Sequence, residues 1–432
     1  MLTSDCLGIN ESGHLTIGGV DTTYLAEKYG TPLYVMSEDK IREICKKYVN
    51  SIKENYDGVG APIYASKAFC CKEICRIVAS EGLDMDSVSM GEIYTALKAG
   101  IDPSRLHFHG NNKTYDELFY AIENNLGDII ADNFEDIKRI SEIAIKQNKE
   151  VSISLRIKPG IDAHTHDFIK TGQIDSKFGF ALENGEAEKA AEMAFKAKNI
   201  KLNGVHCHIG SQIFDVEPFV LASSVMLRFI KLLKDKYSIE INKLNLGGGF
   251  GIKYLDSDPF LDYDVYMKSV SKEVHAKCAE FGLKVPAIYI EPGRSIIGEA
   301  GITLYTVGNV KEIENVRNYI SVDGGMGDNP RYALYQAEYT CVIANKMNEV
   351  ANYKATIAGK YCESGDLIQE NINIVKPEAG DILSVLSTGA YNYSMASNYN
   401  RNARPACVMI KDGVDRVIIK RETFEDLIKN DI

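Results

Sequence analysis

No run of apolar residues approaches the ~20 needed to cross a bilayer, so no membrane span is expected. An excess of positive charge is missing too. Lysines and arginines number 49 against 60 acidic residues, a formal net charge of −11, which argues against a nucleic-acid partner. The opening MLTSDCLGINESG has neither a basic n-region nor an apolar h-region, so no signal peptide is expected. Ten cysteines without such a leader suggest reduced thiols in the cytoplasm. The NKT at 112–114 is then no glycosylation site. Low-complexity segments are absent, as are the G-x-G-x-x-G and G-x-x-x-x-G-K-[ST] phosphate fingerprints.

What is present is length and a repeating pattern. The chain's 432 residues exceed the usual size of a single core, so two domains, or one large barrel with additions, are expected. From about residue 60 to 290, short apolar runs end in polar or glycine residues and amphipathic stretches follow. The runs are PIYAS (62–66), GLDMDSV (82–88), RLHFHG (105–110), GDIIAD (127–132), VSISLRI (151–157), LNGVHCHIG (202–210), KLNLGG (243–248) and PAIYIEP (286–292). Between them, FEDIKRISEIAIKQNK sets Phe134, Ile137, Ile140 and Ala144 along one helical face. Strands separated by helices pair in parallel through right-handed crossovers. Eight such units close a (β/α)8 TIM barrel, whereas an open doubly wound sheet would seldom need eight.

After residue 295, ITLYTVGNV, YISVDGG, YTCVIA, YKATIAG, DILSVL and CVMIKDG follow one another without long helices between them. That pattern predicts a C-terminal all-β domain, to which HLTIGGV near the N-terminus could add a strand. The expected division is an α/β barrel over 36–290 and a β-domain formed by 1–35 plus 291–432.

In such a barrel the chemistry sits where strands end and the following loops begin. That rule puts Lys67, Asp86, His109, Asn111, His208, Gly247 to Gly249, Glu291 and Arg294 at one mouth. A lysine ending a strand can simply hold its head in solvent. It can also be held in a pocket for covalent chemistry. LNLGGGFGI lets backbone N–H groups approach an anion, a nest suited to phosphate, although a tight turn packed on a helix uses glycines as well. Lysine, nest and carboxylate together suggest pyridoxal phosphate, with Glu291 as the acid at the ring nitrogen. Three H-x-H pairs, His107/His109, His164/His166 and His206/His208, could hold a metal. No cysteine or carboxylate at metal-ligand spacing completes them, and CKEIC (71–75) is not C-x-x-C, so no metal is expected.

These segments carry a resemblance. YASKA (64–68), DSVSMGE (86–92), HFHGNNKT (107–114), IDAHTHDFIKTGQIDSKFGF (161–180), HCHIGSQ (206–212), LNLGGGFG (244–251), EPGRSI (291–296), DGGMGDNPRYALY (323–335), CESGD (362–366) and GAYNYSMASNYNRNARP (389–405) resemble the diaminopimelate decarboxylase family. That family is a branch of the group IV, fold type III, alanine-racemase-like pyridoxal-phosphate decarboxylases. The resemblance runs from about Val20 to Pro405. Phe69 and Cys407 depart from it at positions without chemistry.

The resemblance implies decarboxylation of meso-2,6-diaminopimelate to L-lysine. It implies that Lys67 holds the cofactor covalently, that His208 stacks on its ring, and that Ser211, Gly248 and Gly249 take the phosphate. Glu291 would pair with the pyridine nitrogen, and Asp86, Gly293, Arg294 and Tyr391 would line the cofactor. Arg294, Arg331, Tyr335 and Tyr391 would bind the substrate. The partner in a homodimer would supply Cys362, as proton donor, and Glu363. Two rival readings stay open: the same fold acting on arginine, ornithine or carboxynorspermidine, and a non-catalytic homologue that binds the cofactor or a protein.

Overall fold

The structure, a computed structural model, describes residues 2–56, 60–161 and 175–432. The His164/His166 pair and most of the IDAHTHDFIKTGQ segment lie outside the described residues. The chain divides into two compact units, one of Ile44–Gly251 with Phe260–Gly293 and one of Met1–Glu43, Ile252–Pro259 and Arg294–Ile432.

The first unit is the barrel. Its strands are β1 (Gly60–Tyr64), β2 (Asp84–Ser87), β3 (Leu106–Phe108), β4 (Asp128–Ala131), β5 (Val151–Lys158), β6 (Ile200–His206), β7 (Lys243–Asn245) and β8 (Ala287–Ile290). Each expected apolar run supplies one of them. All neighbours pair in parallel, β8 returns to β1 through Ile288↔Gly60, and β4 pairs β5 through Ile129↔Ile153, so the sheet closes. Both faces of such a sheet are covered, which is why β4 (DIIA) is buried at every residue and reads, after Asp128, as an unbroken apolar run.

Helices bury one face each against this sheet. The helix Phe134–Lys146 starts where the Asn133 side chain accepts the N–H of Asp136, satisfying one of the donors a first turn leaves unpaired. It then buries Ile137, Ile140, Ile143 and Ala144. The expected face is present, and Ile143 widens it.

A buried ion pair ties β3 and β4 to this helix. Lys113 Nζ donates to Asp136 Oδ2 at 2.8 Å and to the carbonyls of Gly110 at 2.6 Å and Ile130 at 2.7 Å. Both residues are 2 % exposed. The ammonium is therefore saturated by protein, and Lys113 is a structural member of the HFHGNNKT segment. Removing one partner strands a buried charge, which costs roughly 3–5 kcal/mol. Asp136→Ala is expected to lower unfolding stability by that amount in denaturant titrations. Asp136→Ala with Lys113→Met should recover most of the loss.

The second unit is β-rich. Its main sheet runs in the order Leu367–Ile374, Tyr353–Ala358, Arg317–Val322, Gly301–Ile313, Leu33–Ser37, Ala406–Lys411, Val414–Ile419. Cys341–Ile343 and Ile382–Val385 pair beside it. HLTIGGV does not join this sheet. Leu15–Ile17 pairs Leu7–Ile9 and Val20–Asp21 in a three-stranded sheet of its own. The strand that the N-terminal region lends is Leu33–Ser37, antiparallel to Gly301–Ile313 and parallel to Ala406–Lys411. All five of its residues are buried, so it shows no alternation to mark it. Among the described residues no helix is long and apolar enough to cross a membrane.

Candidate active site

In the barrel unit, β1 ends in a single 3-10 turn, Ser66–Ala68, that carries Lys67. Two carboxylates fasten this turn through Ser66. Its N–H donates to Asp86 Oδ1 at 2.7 Å, and its hydroxyl donates to Glu92 Oε2 at 2.8 Å. The turn also lies against the loop after β8, where Ala65 N–H donates to the Pro292 carbonyl at 3.0 Å. A Cβ on Gly293 would stand 2.7 Å from the Ala65 methyl, so only glycine permits that approach. Lys67 itself is exposed, and among the described residues it makes no hydrogen bond or ion pair.

Asp86 is 3 % exposed. Burial, then repulsion from Glu291, pushes its carboxyl up to about 8, while the Lys67 charge pulls the other way. The half-buried His208 is held well below its ordinary value by burial and by the charges of Lys67 and Arg156. It is therefore a neutral ring.

Glu291 follows β8 and is buried. Asn245 Nδ2 donates to its Oε1 at 2.8 Å, and His206 Nε2 bonds its Oε2 at 3.1 Å. His109 Nε2 lies 3.0 Å from Oε1 without hydrogen-bond alignment. Burial alone would raise this carboxyl; the His109 and His206 rings outweigh it and hold Glu291 well below the usual carboxylate range.

The carboxylate that completes a histidine set is thus far away in sequence. The ligating atoms of His109, His206 and Glu291 all lie within 4.8 Å of one another. His107 turns elsewhere, its Nε2 standing 3.4 Å from Asp84 Oδ2.

The loop after β7 carries the glycine run. A Cβ on Gly248 would stand 2.1 Å from the Glu291 carbonyl oxygen, so this glycine lets two mouth loops touch. Gly248 is buried and Gly249 half-buried, and the N–H groups of both find no acceptor among the described residues. A buried donor without an acceptor is costly, and an anionic oxygen satisfies two adjacent ones. Ser211 is half-buried in the loop after β6. The expected cofactor needs an accessible amine, unpaired N–H groups for phosphate and an ionised acid, and the residues present fit it.

Sequence reasoning missed Arg156 on β5. Its guanidinium carbon lies 4.3 Å from the Phe178 ring centroid, and Nη1 is 3.8 Å from Asp132 Oδ2. The signal that drew attention to Lys67, a cation toward the mouth end of an apolar strand, is present there too. Asn245 and His206 were missed as partners of Glu291, because residues 46 and 85 positions apart leave no local trace.

The other expected residues belong to the β-rich unit. Arg294 opens the short helix Arg294–Ile297, donates from Nη1 to the Tyr254 hydroxyl at 2.5 Å, and lies 4.7 Å over the Tyr391 ring. Arg331 opens the helix Arg331–Tyr335 and donates from Nη1 to the Tyr339 hydroxyl at 2.6 Å. Tyr391 has φ +62°, a left-handed conformation that is uncommon for a bulky residue and clusters at functional sites.

Cys362 and Glu363 stand apart on an exposed turn. Asp366 anchors it by accepting the N–H groups of Met326 at 2.6 Å and Tyr361 at 2.7 Å. No hydrogen bond or ion pair joins Cys362 or Glu363 to Arg294 or Arg331 among the described residues. Tyr335 is 40 % exposed.

Comparison with known proteins adds to this geometry. A model of the family described as "Pyridoxal-dependent decarboxylase, pyridoxal binding domain" matches residues 38–298. A Bacillus subtilis (strain 168) protein named diaminopimelate decarboxylase is 48 % identical over 424 residues, covering 98 % of this chain and 96 % of its own length. A Bacillus methanolicus protein of the same name is 49 % identical over 415 residues, covering 96 % of each. The crystal structure of a diaminopimelate decarboxylase from M. jannaschii in co-complex with L-lysine matches with a TM-score of 0.91 and 35 % identity, over 100 % of this chain and 99 % of that one.

Proposed function

The chain belongs to the diaminopimelate decarboxylases, pyridoxal-dependent carboxy-lyases, and from that premise we propose how its residues divide the reaction. The enzyme converts meso-2,6-diaminopimelate to L-lysine and carbon dioxide, the last step of lysine biosynthesis by the diaminopimelate pathway. Its cofactor is pyridoxal phosphate.

When bound, that cofactor accepts the electron pair left behind as carbon dioxide departs. Lys67 holds it covalently through the exposed amine at the end of β1. The N–H groups of Gly248 and Gly249, with Ser211, take the phosphate. His208, neutral, stacks on the ring. Glu291, ionised and fixed by Asn245 and His206, pairs with the pyridine nitrogen. Asp86 and Gly293 hold the turn that carries Lys67. Arg294 and Arg331 take the substrate's second carboxylate, for which their planar forks are suited. Tyr335 and Tyr391 contribute to the same pocket. Glu363 meets the distal ammonium, and Cys362 Sγ delivers the proton to the carbon that lost its carboxylate. The last two come from the second copy of a two-fold dimer, each copy lending its exposed turn to the other. The ten cysteines are all free thiols, which supports a reducing, cytoplasmic setting.

The observation that carries this assignment is the buried Glu291, held by Asn245 and His206 beside the turn of Lys67. The arginines favour a substrate with two carboxylates over arginine or ornithine, which have one. The test is carbon dioxide release by the holoenzyme. Turnover of meso-diaminopimelate is expected to exceed that of ornithine, arginine and lysine by roughly 10^2-fold or more, the scale on which a site rejects an analogue that leaves its polar groups unpaired. Comparable release from ornithine would overturn the assignment.

A further inference from the structure

Resting on the reading that Arg294 and Arg331 take the second carboxylate, we infer that Tyr254 is the positioning residue that sets the two guanidiniums side by side and so fixes preference for a substrate bearing that carboxylate. The chain leaves the barrel unit after Gly251, lends Ile252–Pro259 to the β-rich unit, and returns at Phe260. Tyr254 rides on that excursion and is 7 % exposed.

Its main chain is tied down from both sides. The N–H donates to Asp258 Oδ2 at 2.8 Å, and the carbonyl accepts from Thr340 N at 3.2 Å and Thr340 Oγ1 at 2.8 Å. The side chain then meets both arginines. Its hydroxyl accepts from Arg294 Nη1 at 2.5 Å, and the Arg331 guanidinium carbon lies 4.9 Å from its ring centroid. Tyr339 backs it edge-on at 5.2 Å. Tyr339 also accepts from Arg331 at 2.6 Å and from Asn392 Nδ2 at 3.4 Å.

The electrostatics point to a bound anion. Arg331 is 8 % exposed and pairs with no carboxylate among the described residues. Phenol oxygens and ring faces stabilise a buried guanidinium without neutralising it. Burial alone would raise the Tyr254 phenol, yet the two arginines bring it below its ordinary value, as expected for an oxygen lying in the field of both. One phenol thus holds two cations close together against their repulsion. A carboxylate arriving there gains two charged donors already in place.

The test compares two ligands of the holoenzyme. L-lysine keeps the second carboxylate, and cadaverine is the same skeleton without it. In Tyr254→Phe, the lysine inhibition constant and the KM for meso-diaminopimelate are expected to rise about tenfold, the weight of one charged hydrogen bond. Cadaverine inhibition should stay unchanged, and kcat should move less than KM. Tyr254→Gln restores an acceptor for Arg294 and should recover part of the lysine affinity, a rescue that a merely structural role does not predict.

Arg331→Ala separates the two layers of the argument. If it abolishes the preference for lysine over cadaverine while Tyr254→Phe and Tyr254→Gln leave that preference intact, the role of Tyr254 is refuted and the arginine reading stands. If Arg331→Ala leaves the preference intact, the arginine reading fails and takes this inference with it.

Discussion

Lys67→Ala is expected to lose turnover by about 10^4-fold or more, the scale on which removal of a covalent catalytic group acts, while the fold survives. The reasoning joins position to packing. Lys67 is exposed on a one-turn helix, so truncation removes no buried apolar area and leaves no cavity. The turn itself is fastened by Ser66, through Asp86 and Glu92, and by Ala65 against Pro292. None of those bonds involves the lysine side chain. Melting temperature should therefore change little as activity vanishes. A second readout does not depend on turnover. Borohydride reduction of the loaded wild-type enzyme, followed by peptide mapping, should place the pyridoxyl group on Lys67. Recovery of the label on another lysine would remove Lys67 from its role.

The second large effect concerns Cys362. It is exposed on a turn that Asp366 pins to Met326 and Tyr361, with its own N–H donating to Asn400 Oδ1 at 2.8 Å. The thiol is thus presented outward by a fixed backbone, unlike the buried cysteines that serve as small hydrophobes. Cys362→Ala is expected to be nearly inactive alone. If sites are shared across a two-fold dimer, mixing it with Lys67→Ala rebuilds one intact site in every heterodimer. Equal, freely exchanged chains should then show about a quarter of wild-type activity, because half the dimers are mixed and each has one good site of two. Absence of recovery after demonstrated subunit exchange would place both groups in one chain. A normally active Cys362→Ala would move the proton donor elsewhere.

Much of this could be read in the sequence, for local reasons. A barrel strand is buried on both faces, so each one announces itself as a short apolar run closed by a turn. Lys67, Glu291 and the glycines stood out because polar or flexible residues at the ends of such runs need an explanation.

What escaped was non-local. Asn245 and His206 matter only because β7 and β6 bring them to Glu291, and the carboxylate that completes the histidine cluster was invisible for the same reason. Arg156 carried a local signal but sits inside a run that continues through Ile157 and Lys158, so it did not read as a strand end. Tyr254 looks like a plain tyrosine after a glycine run until the chain's detour into the β-rich unit is known. HLTIGGV supplies a strand that pairs in a small separate sheet of the β-rich unit, whereas Leu33–Ser37, buried throughout, had no alternation to offer.

That strand bears on how the protein is made. Leu33–Ser37 lies inside the main sheet, between Gly301–Ile313 and Ala406–Lys411. A ribosome delivers it early and its two neighbours very late. Until then a mostly apolar five-residue segment has both edges bare, the kind of surface that invites wrong pairing. The barrel residues emerge in between and can fold while the strand waits. Closure of the sheet is therefore a late event in biogenesis, and any premature stop before Ala406 leaves one edge of Leu33–Ser37 permanently unmatched.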